Sequence, residues 1–292
     1  MVNPFFHCSG TATVVLVRVR SHWFTTIASL ASGLALVGCA SNQKPSSTSE
    51  GSLAEAWRII SSKRFVDLTH TFSPTTPVWP GFPAATFAAA TNPATGLPYT
   101  IERDGARATQ YTLVGQYGTH IDPPAHFDPQ GTTLDHLSVK NMILPLVVFD
   151  LTPKLGSNPN HALTVDDILG WENLHGRVPA GCFAALRTDM SKDWDTHPER
   201  FKRVKFPAWS LAALEFLYEK RGITANGHES MDTDNTPDLQ SETWLLRHGH
   251  WQIENLTNLD QVPATGGLVV VAWPKPAGGL GFPVRAFAIL PD

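Results

Sequence analysis

Cysteine is scarce in this chain. Cys8, Cys39 and Cys182 are the three among 292 residues. That excludes a disulfide framework and a Cys-rich zinc site. Charge is scarce as well, at 16% of residues with a formal net charge of −4. Without a basic excess there is no reason to expect nucleic acid as a partner. No repeat of fixed period is visible, which argues against a solenoid. No Gly-x-Ser-x-Gly elbow occurs, so a serine hydrolase of that type has no support. The N-terminal apolar stretch "WFTTIASLASGLALVG" is too short to span a bilayer comfortably.

What is abundant points the other way. The chain has 22 glycines, 23 prolines, nine tryptophans and 42% hydrophobic residues. This composition reads as a loop-rich globular protein with one large core or two small ones, and no disordered chain. The tryptophans supply bulky apolar surface for a core, a pocket or an interface.

The N-terminal region differs from the rest. Arg18, Arg20 and His22 lead into the short apolar stretch, which ends at Cys39. Basic residues, an apolar run and small residues form the pattern of a secretory signal peptide. "LVGC" (Leu36 to Cys39) resembles the lipobox of bacterial lipoproteins, in which the cysteine carries lipid and becomes the mature N-terminus. An ordinary signal peptide with an incidental cysteine is the other reading. Residues 1–39 are therefore read as a lipoprotein-type signal peptide, and residues 40–60, polar and Ser-rich, as a flexible tether. Contact with a membrane is expected only through a lipid anchor at Cys39. The implied location is the cell envelope, facing the periplasm. Ser41, in place of an inner-membrane retention aspartate, favours the outer membrane. Cys182, in the apolar run "GCFAAL", reads as a buried structural residue.

Residues 61–292 read as a single mixed α/β domain. Strand candidates recur in "RFVDLTH", "ATQYTLVGQ", "ILPLVVFDLT", "CFAALRTD", "GLVVVAWP" and "VRAFAIL". Two helices are expected between them. Thr164 caps "VDDILGWENL" with Asp167 closing a capping box, and Ser210 caps "LAALEFLYEKR" with Gly222 as its stop.

The stretch "YGTHIDPPAHF" concentrates the chemistry. Read as an extended strand, "QYTLVGQYGTHID" puts Gln116, Gly118, His120 and Asp122 on one face. Three of these are possible metal ligands, and the glycine leaves room for an ion or substrate to approach. Pro123 and Pro124 fix φ twice and end the strand. The turn then brings His126 back toward the same face. Such rigidity suits ligands that must be held before the ion arrives.

"GTHIDPPAHF" resembles the GTHxDxPxHF signature of the metal-dependent cyclase family, which includes kynurenine formamidase and isatin hydrolase. "DLTHTFSPTTPVWPGFP", "GHESMDTD", "IENLTNLDQVP" and "PVRAFAIL" resemble further segments of that family. The resemblance implies a swivelling β/β/α domain, assembled as a dimer or tetramer. It implies metal ligands at His120, Asp122 and Glu254, and a catalytic acid or base at His126. Two positions depart from the formamidase pattern. Gln116 and Glu242 stand where histidines are usual. Both still offer oxygen to a hard divalent ion. With oxygen donors in the majority, a single Mn²⁺-type site is expected in place of a two-zinc arrangement. Glu242 is expected to precede a strand containing "TWLLRHGHW".

Other polar residues carry weaker signals. His228 and Glu229 either ligate or orient substrate, or form a solvated turn. His70 and Trp79 either line the pocket or pack in the core. His248 and His250 read as a hairpin turn, and Asp232 and Asp234 as turn residues bonded to their own loop. A divalent Mn²⁺ or Zn²⁺ ion so held would acidify water and polarise a carbonyl. The implied function is hydrolysis of a small aryl formamide, cyclic amide or lactone, with a small-molecule substrate as partner. The competing class is a non-catalytic metal- or ligand-binding envelope lipoprotein on the same fold.

Overall fold

The structure, a computed structural model, describes residues 51–202 and 205–291. The signal-peptide reading of residues 1–39, Cys39 included, lies outside the described residues. So do residues 40–50 of the tether. Its remaining part holds most of a helix, α1 (Leu53–Ser61), opened by Ser52, whose Oγ accepts the Glu55 N–H. None of its residues is buried.

The apolar runs become strands. In chain order, β1 (Phe65–Asp67) precedes β2 (Thr86–Ala89) and β3 (Thr109–Thr112), which pair as an antiparallel arm with α2 (Ile101–Asp104) between them. Then come β4 (His120–Asp122), β5 (Ile143–Asp150), α3 (Thr152–Leu155), β6 (Ala162–Leu163), α4 (Val165–His175) and β7 (Phe183–Arg187). They are followed by β8 (Ala208–Trp209), α5 (Leu211–Glu215), β9 (Ala225–His228), α6 (Gln240–Arg247) and β10 (Trp251–Glu254). The chain closes with β11 (Gly267–Ala272), β12 (Phe282–Pro283) and β13 (Arg285–Ile289).

Nine strands join one mixed sheet in the order β1-β13-β11-β5-β7-β9-β10-β4-β12. The middle of the sheet is parallel and its flanks antiparallel. Alternation explains why β5 and β7 are apolar up to their last residues, Asp150 and Arg187. Leu144, Leu146 and Val148 of β5, with Phe183 and Ala185 of β7, enter one core together with Ile121, Trp251 and Ile253. Val147, Phe149, Ala184 and Leu186 enter the core on the other face, beneath α4, α5 and α6. A strand buried on both faces cannot alternate with polar residues. Each such large side chain contributes about 1.5–3 kcal/mol on burial.

The expected caps are present. Thr164 and Asp167 exchange both bonds of the capping box. The Ser210 Oγ accepts the Ala213 N–H. The helix begun by α5 continues as a π-helical turn, Phe216–Arg221, and stops at Gly222 with φ 70°. Two expectations are corrected. The run from Gln116 to Asp122 is no continuous strand, because β3 ends at Thr112 and Gly118 adopts φ 63°, where a side chain is strained. "TWLLRHGHW" is no single strand. Its first half lies in α6, whose buried positions Ser241, Glu242, Leu245 and Leu246 form a helical stripe. The turn holding His248 and His250 therefore joins a helix to β10, and no hairpin is formed. Among the described residues no helix is long and apolar enough to cross a membrane.

Candidate metal centre

Strand register builds the centre. In the antiparallel pair of β4 and β10, Glu254 lies opposite His120 and Gln252 opposite Asp122. Side chains two apart share a face, so all four polar groups meet on one side of a two-strand ladder. Ile121 and Ile253, between them, point into the core on the other side. His120, Asp122, Gln252 and Glu254 are all buried.

Hydrogen bonds orient the imidazole. His120 Nδ1 lies 3.0 Å from the Gly118 carbonyl, which can only accept, so this nitrogen carries a proton. Nε2 is left facing Asp122 Oδ2 and Glu254 Oε2, each at 3.5 Å, without a hydrogen-bond partner. A carbonyl behind Nδ1 with Nε2 presented forward is the usual support of a metal-ligating histidine. Gly118 earns its place by its positive φ, and its carbonyl also accepts from Asn255 Nδ2 at 3.1 Å. Gln252 Nε2 donates to Glu254 Oε1 at 3.0 Å and reaches Asp122 Oδ2 at 3.4 Å. Its own oxygen accepts from Thr233.

The ladder forms the floor of a cavity of about 230 Å³. Pro77, Val78, Trp79, Phe82, Phe127, Met231 and Leu239 supply apolar walls. Glu242 descends from α6, buried, with Oε2 unpartnered. Asp232 reaches the cavity from the loop after β9. Two ligand groups result, His120–Asp122–Glu254 and Asp232–Glu242–Glu254, with ligand atoms within 4.8 Å of one another in each. The electrostatics match a cation-binding cluster. Burial, with Asp122, Asp232 and other carboxylates nearby, pushes Glu242 and Glu254 well above the ordinary range. Burial and the charges of Asp122 and Asp234 raise Asp232 to about 7, against a hydrogen bond from Trp79 that lowers it. Burial opposes ionisation of both His120 and Asp122, yet their mutual attraction prevails. It raises the imidazole and lowers the carboxyl to about 2. An unpartnered buried imidazole nitrogen, an unpartnered carboxylate oxygen and a surplus of carboxylates fit a divalent ion.

The other candidates separate. His126 ends a 3-10 turn, Pro124–His126, and lines the cavity beside Phe127. Gln116 also lines it, but its Nε2 donates to the Leu280 carbonyl at 2.8 Å and toward Asp122 Oδ1 at 3.3 Å. In this rotamer Gln116 steadies Asp122. Gly281 admits it, since a Cβ there would come within 2.1 Å of the Gln116 amide. Trp79 is a wall residue, 40% exposed. His70 lies outside the cavity lining, stacked on Trp194 at 4.1 Å. His228, buried on β9 beside β10, has its Nε2 3.6 Å from Glu254 Oε1 but lies outside the cavity lining. Glu229 points away and is held by the Thr188 N–H and the Thr188 and Ser191 hydroxyls. Neither is a solvated turn. Asp234 does bond within its own loop and also accepts the Ser241 and Glu242 N–H groups, starting α6. Asp232, read as its twin, faces the cavity. Gln252 carried no sequence signal beyond adjacency to Glu254, and Asn255 only its place in "IENLTNLDQVP".

A curled mixed sheet with a carboxylate-rich, buried His/Asp/Glu cluster on one ladder defines an α/β protein with a candidate metal centre. Comparison with known proteins makes this specific. The family described as "Putative cyclase" matches residues 66–235, and the chain belongs to that cyclase family. It is 30% identical over 199 residues to isatin hydrolase of Roseibium aggregatum, covering 63% of this chain and 75% of that protein. It is 28% identical over 225 residues to kynurenine formamidase of Geobacillus thermodenitrificans, covering 76% of this chain and 95% of that protein. The solved structure of isatin hydrolase A from Ralstonia solanacearum matches with a TM-score of 0.72 at 28% identity, covering 84% of this chain and 99% of that one. The expected swivelling β/β/α fold is the fold of this chain.

Proposed function

We propose that this protein is a metal-dependent hydrolase that opens a C–N bond in a small aryl formamide or cyclic amide, with a lactone as the related ester substrate. The carrying observation is the His120–Asp122–Glu254 group at the floor of an apolar-walled cavity. Relatives named isatin hydrolase and kynurenine formamidase support the substrate class. His120, Asp122 and Glu254 would hold a divalent ion, Mn²⁺ or Zn²⁺, with Glu242 and Gln116 beside it. When bound, such an ion acidifies water and polarises a carbonyl.

The chain's own residues do the rest. Trp79, Phe82 and Phe127 offer flat apolar surface to an aryl ring. The cavity is small, below the roughly 300 Å³ at which ligand pockets commonly begin, which favours a compact substrate. His126, on the wall, takes a proton from the attacking water and returns it to the leaving nitrogen or oxygen. Gln252 holds Asp122 and Glu254 side by side while this happens. Homo-oligomeric assembly and a periplasm-facing lipid anchor at Cys39 belong to the same reading and rest on the sequence. The test is turnover of a panel of formamides, cyclic imides and lactones by purified mature protein, with metal content measured alongside. Hydrolysis of an amide member supports the reading. Bound metal without turnover of any member leaves a binding protein.

A further inference from the structure

A second cavity, of about 260 Å³, adjoins the first. Trp79, Asp232 and Leu239 line both, so these three residues form the partition between them. Pro80, Phe201, Phe206 and Pro237 supply apolar walls to the second. Phe201 and Phe206 belong to a small separate core with Met231, which lines the first cavity, so one cluster backs both.

The partition is held in place. The Trp79 indole N–H donates to Asp232. The indole ring lies over Gly81, where any Cβ would strike it, and tilts against Phe82 at 5.4 Å. Leu239 adopts φ 48°, a left-handed conformation that is strained for leucine. Such strain persists only where the surrounding structure over-determines it. Trp79 is nonetheless exposed, so its edge is a rim that a ligand can cross.

Charge distinguishes the two cavities. Carboxyl groups, and no lysine or arginine, line the first. Lys202, exposed, lines the second. The carboxyl groups of the second cavity are already engaged. Asp232 accepts from Trp79, and Asp234 accepts from the backbone N–H groups of Thr236, Ser241 and Glu242 and from the Thr236 hydroxyl. The Asn235 amide donates to the Phe206 carbonyl. The Lys202 ammonium is the charged group left there for a ligand to meet.

We infer that the second cavity receives an acidic side arm of the substrate, with Lys202 meeting its carboxylate. The inference rests on the hydrolase reading above and narrows its substrate to aryl amides that carry such an arm. The reacting amide sits over the β4–β10 ladder, the ring lies against Trp79, and the arm crosses the Trp79 rim. Neither cavity alone reaches the roughly 300 Å³ at which ligand pockets commonly begin, whereas the two together do. A compact reacting end with a separate room for the arm accounts for both volumes.

The experiment uses the mature chain loaded with Mn²⁺. Two formanilides with arms of equal length are compared, 3-(4-formamidophenyl)propanoate and the neutral 4-(3-hydroxypropyl)formanilide. Binding of the two corresponding anilines, the deformylated products, is measured by calorimetry and needs no turnover. The acid is expected to be favoured about fivefold in KM and in product binding at low salt, the gain of one exposed ion pair. Added salt should shrink that preference. Lys202→Met should abolish it in both measurements, and Lys202→Arg should keep it. Turnover of both formanilides with equal KM, and equal binding of both anilines, overturns the second cavity's role and leaves the proposed function standing. A preference for the acid that survives Lys202→Met also overturns that role. Hydrolysis of neither formanilide overturns the aryl-formamide part of the proposed function, and product binding then decides the cavity by itself. A Lys202-dependent preference supports the cavity's role, and equal binding overturns it.

Discussion

Glu254 stands directly opposite His120 across the antiparallel ladder of β4 and β10, its Oε2 3.5 Å from the imidazole Nε2. The same register sets Gln252 against Asp122. A slip of β10 by one residue would turn Gln252 and Glu254 into the core and expose Ile253 to the cavity. The isoleucines, fully buried on the opposite face, therefore fix the geometry of the centre as firmly as its own hydrogen bonds do.

In the proposed function His126, on the cavity wall, moves protons without holding the ion. His126→Ala should retain bound metal and lose roughly 10²–10⁴ in turnover. His120→Ala and Asp122→Ala should lose metal and turnover together. Metal analysis beside steady-state kinetics separates these cases. Loss of metal from His126→Ala, with full activity restored by excess ion, would make His126 a ligand.

Gln252 acts through its neighbours. Gln252→Leu removes the N–H groups shared by Glu254 and Asp122. Metal affinity should fall by about 10–100-fold, as for other residues that orient ligands. Competition against a chelating dye measures it. Unchanged affinity would show that the two carboxylates need no clamp.

Acid should weaken the fold through two histidines shielded from solvent, His70 and His250. Burial lowers both His70 and His250 from the ordinary 6.5 to about 4. Between these values the unfolded chain takes up protons that the folded chain refuses. Stability from these groups is thus complete above pH 6.5 and declines as pH falls toward 4. His70→Phe keeps the stack on Trp194 and removes the titrating nitrogen. It should flatten the decline by on the order of 1–3 kcal/mol, read from urea midpoints across that range. Parallel curves for the two proteins would refute the assignment to His70.

Cys39→Ser tests the proposed anchor. The variant should appear as soluble or unprocessed protein, whereas wild type is expected to partition with membranes. Wild-type protein that is wholly soluble with an unmodified N-terminus would rule the anchor out.

Much of the fold could be read because its signals are local. The apolar runs of β5 and β7 and the cap of α4 are properties of a few neighbouring residues. So is the placing of His120 and Asp122 on one face. Helix α6 was hidden because its buried stripe contains Ser241 and Glu242, which no hydrophobic pattern marks, while Trp244, Leu245 and Leu246 imitate a strand. Asp232 was hidden by its likeness to Asp234. Two residues separate a helix-starting carboxylate from one that faces the cavity, and only the loop's path after β9 tells them apart. Gln252 gained its meaning from a partner 130 residues away.

That separation has a kinetic side. The face bearing His120 and Asp122 is made early in the chain, while Glu254 and Glu242 are made late. β4 finds its hydrogen-bonded neighbours in β10 and β12, with the parallel strands β7 and β9 standing between β5 and β10. Loops of this length close slowly, and distant strand pairings form late in folding. A complete ion cage is therefore absent from the nascent chain and from early intermediates. An ion that binds only the finished ladder leaves the early steps of folding unassisted, then stabilises the native state in proportion to its affinity and concentration. Its effect should fall on the rate of unfolding, so the loaded protein gains persistence more than speed of assembly.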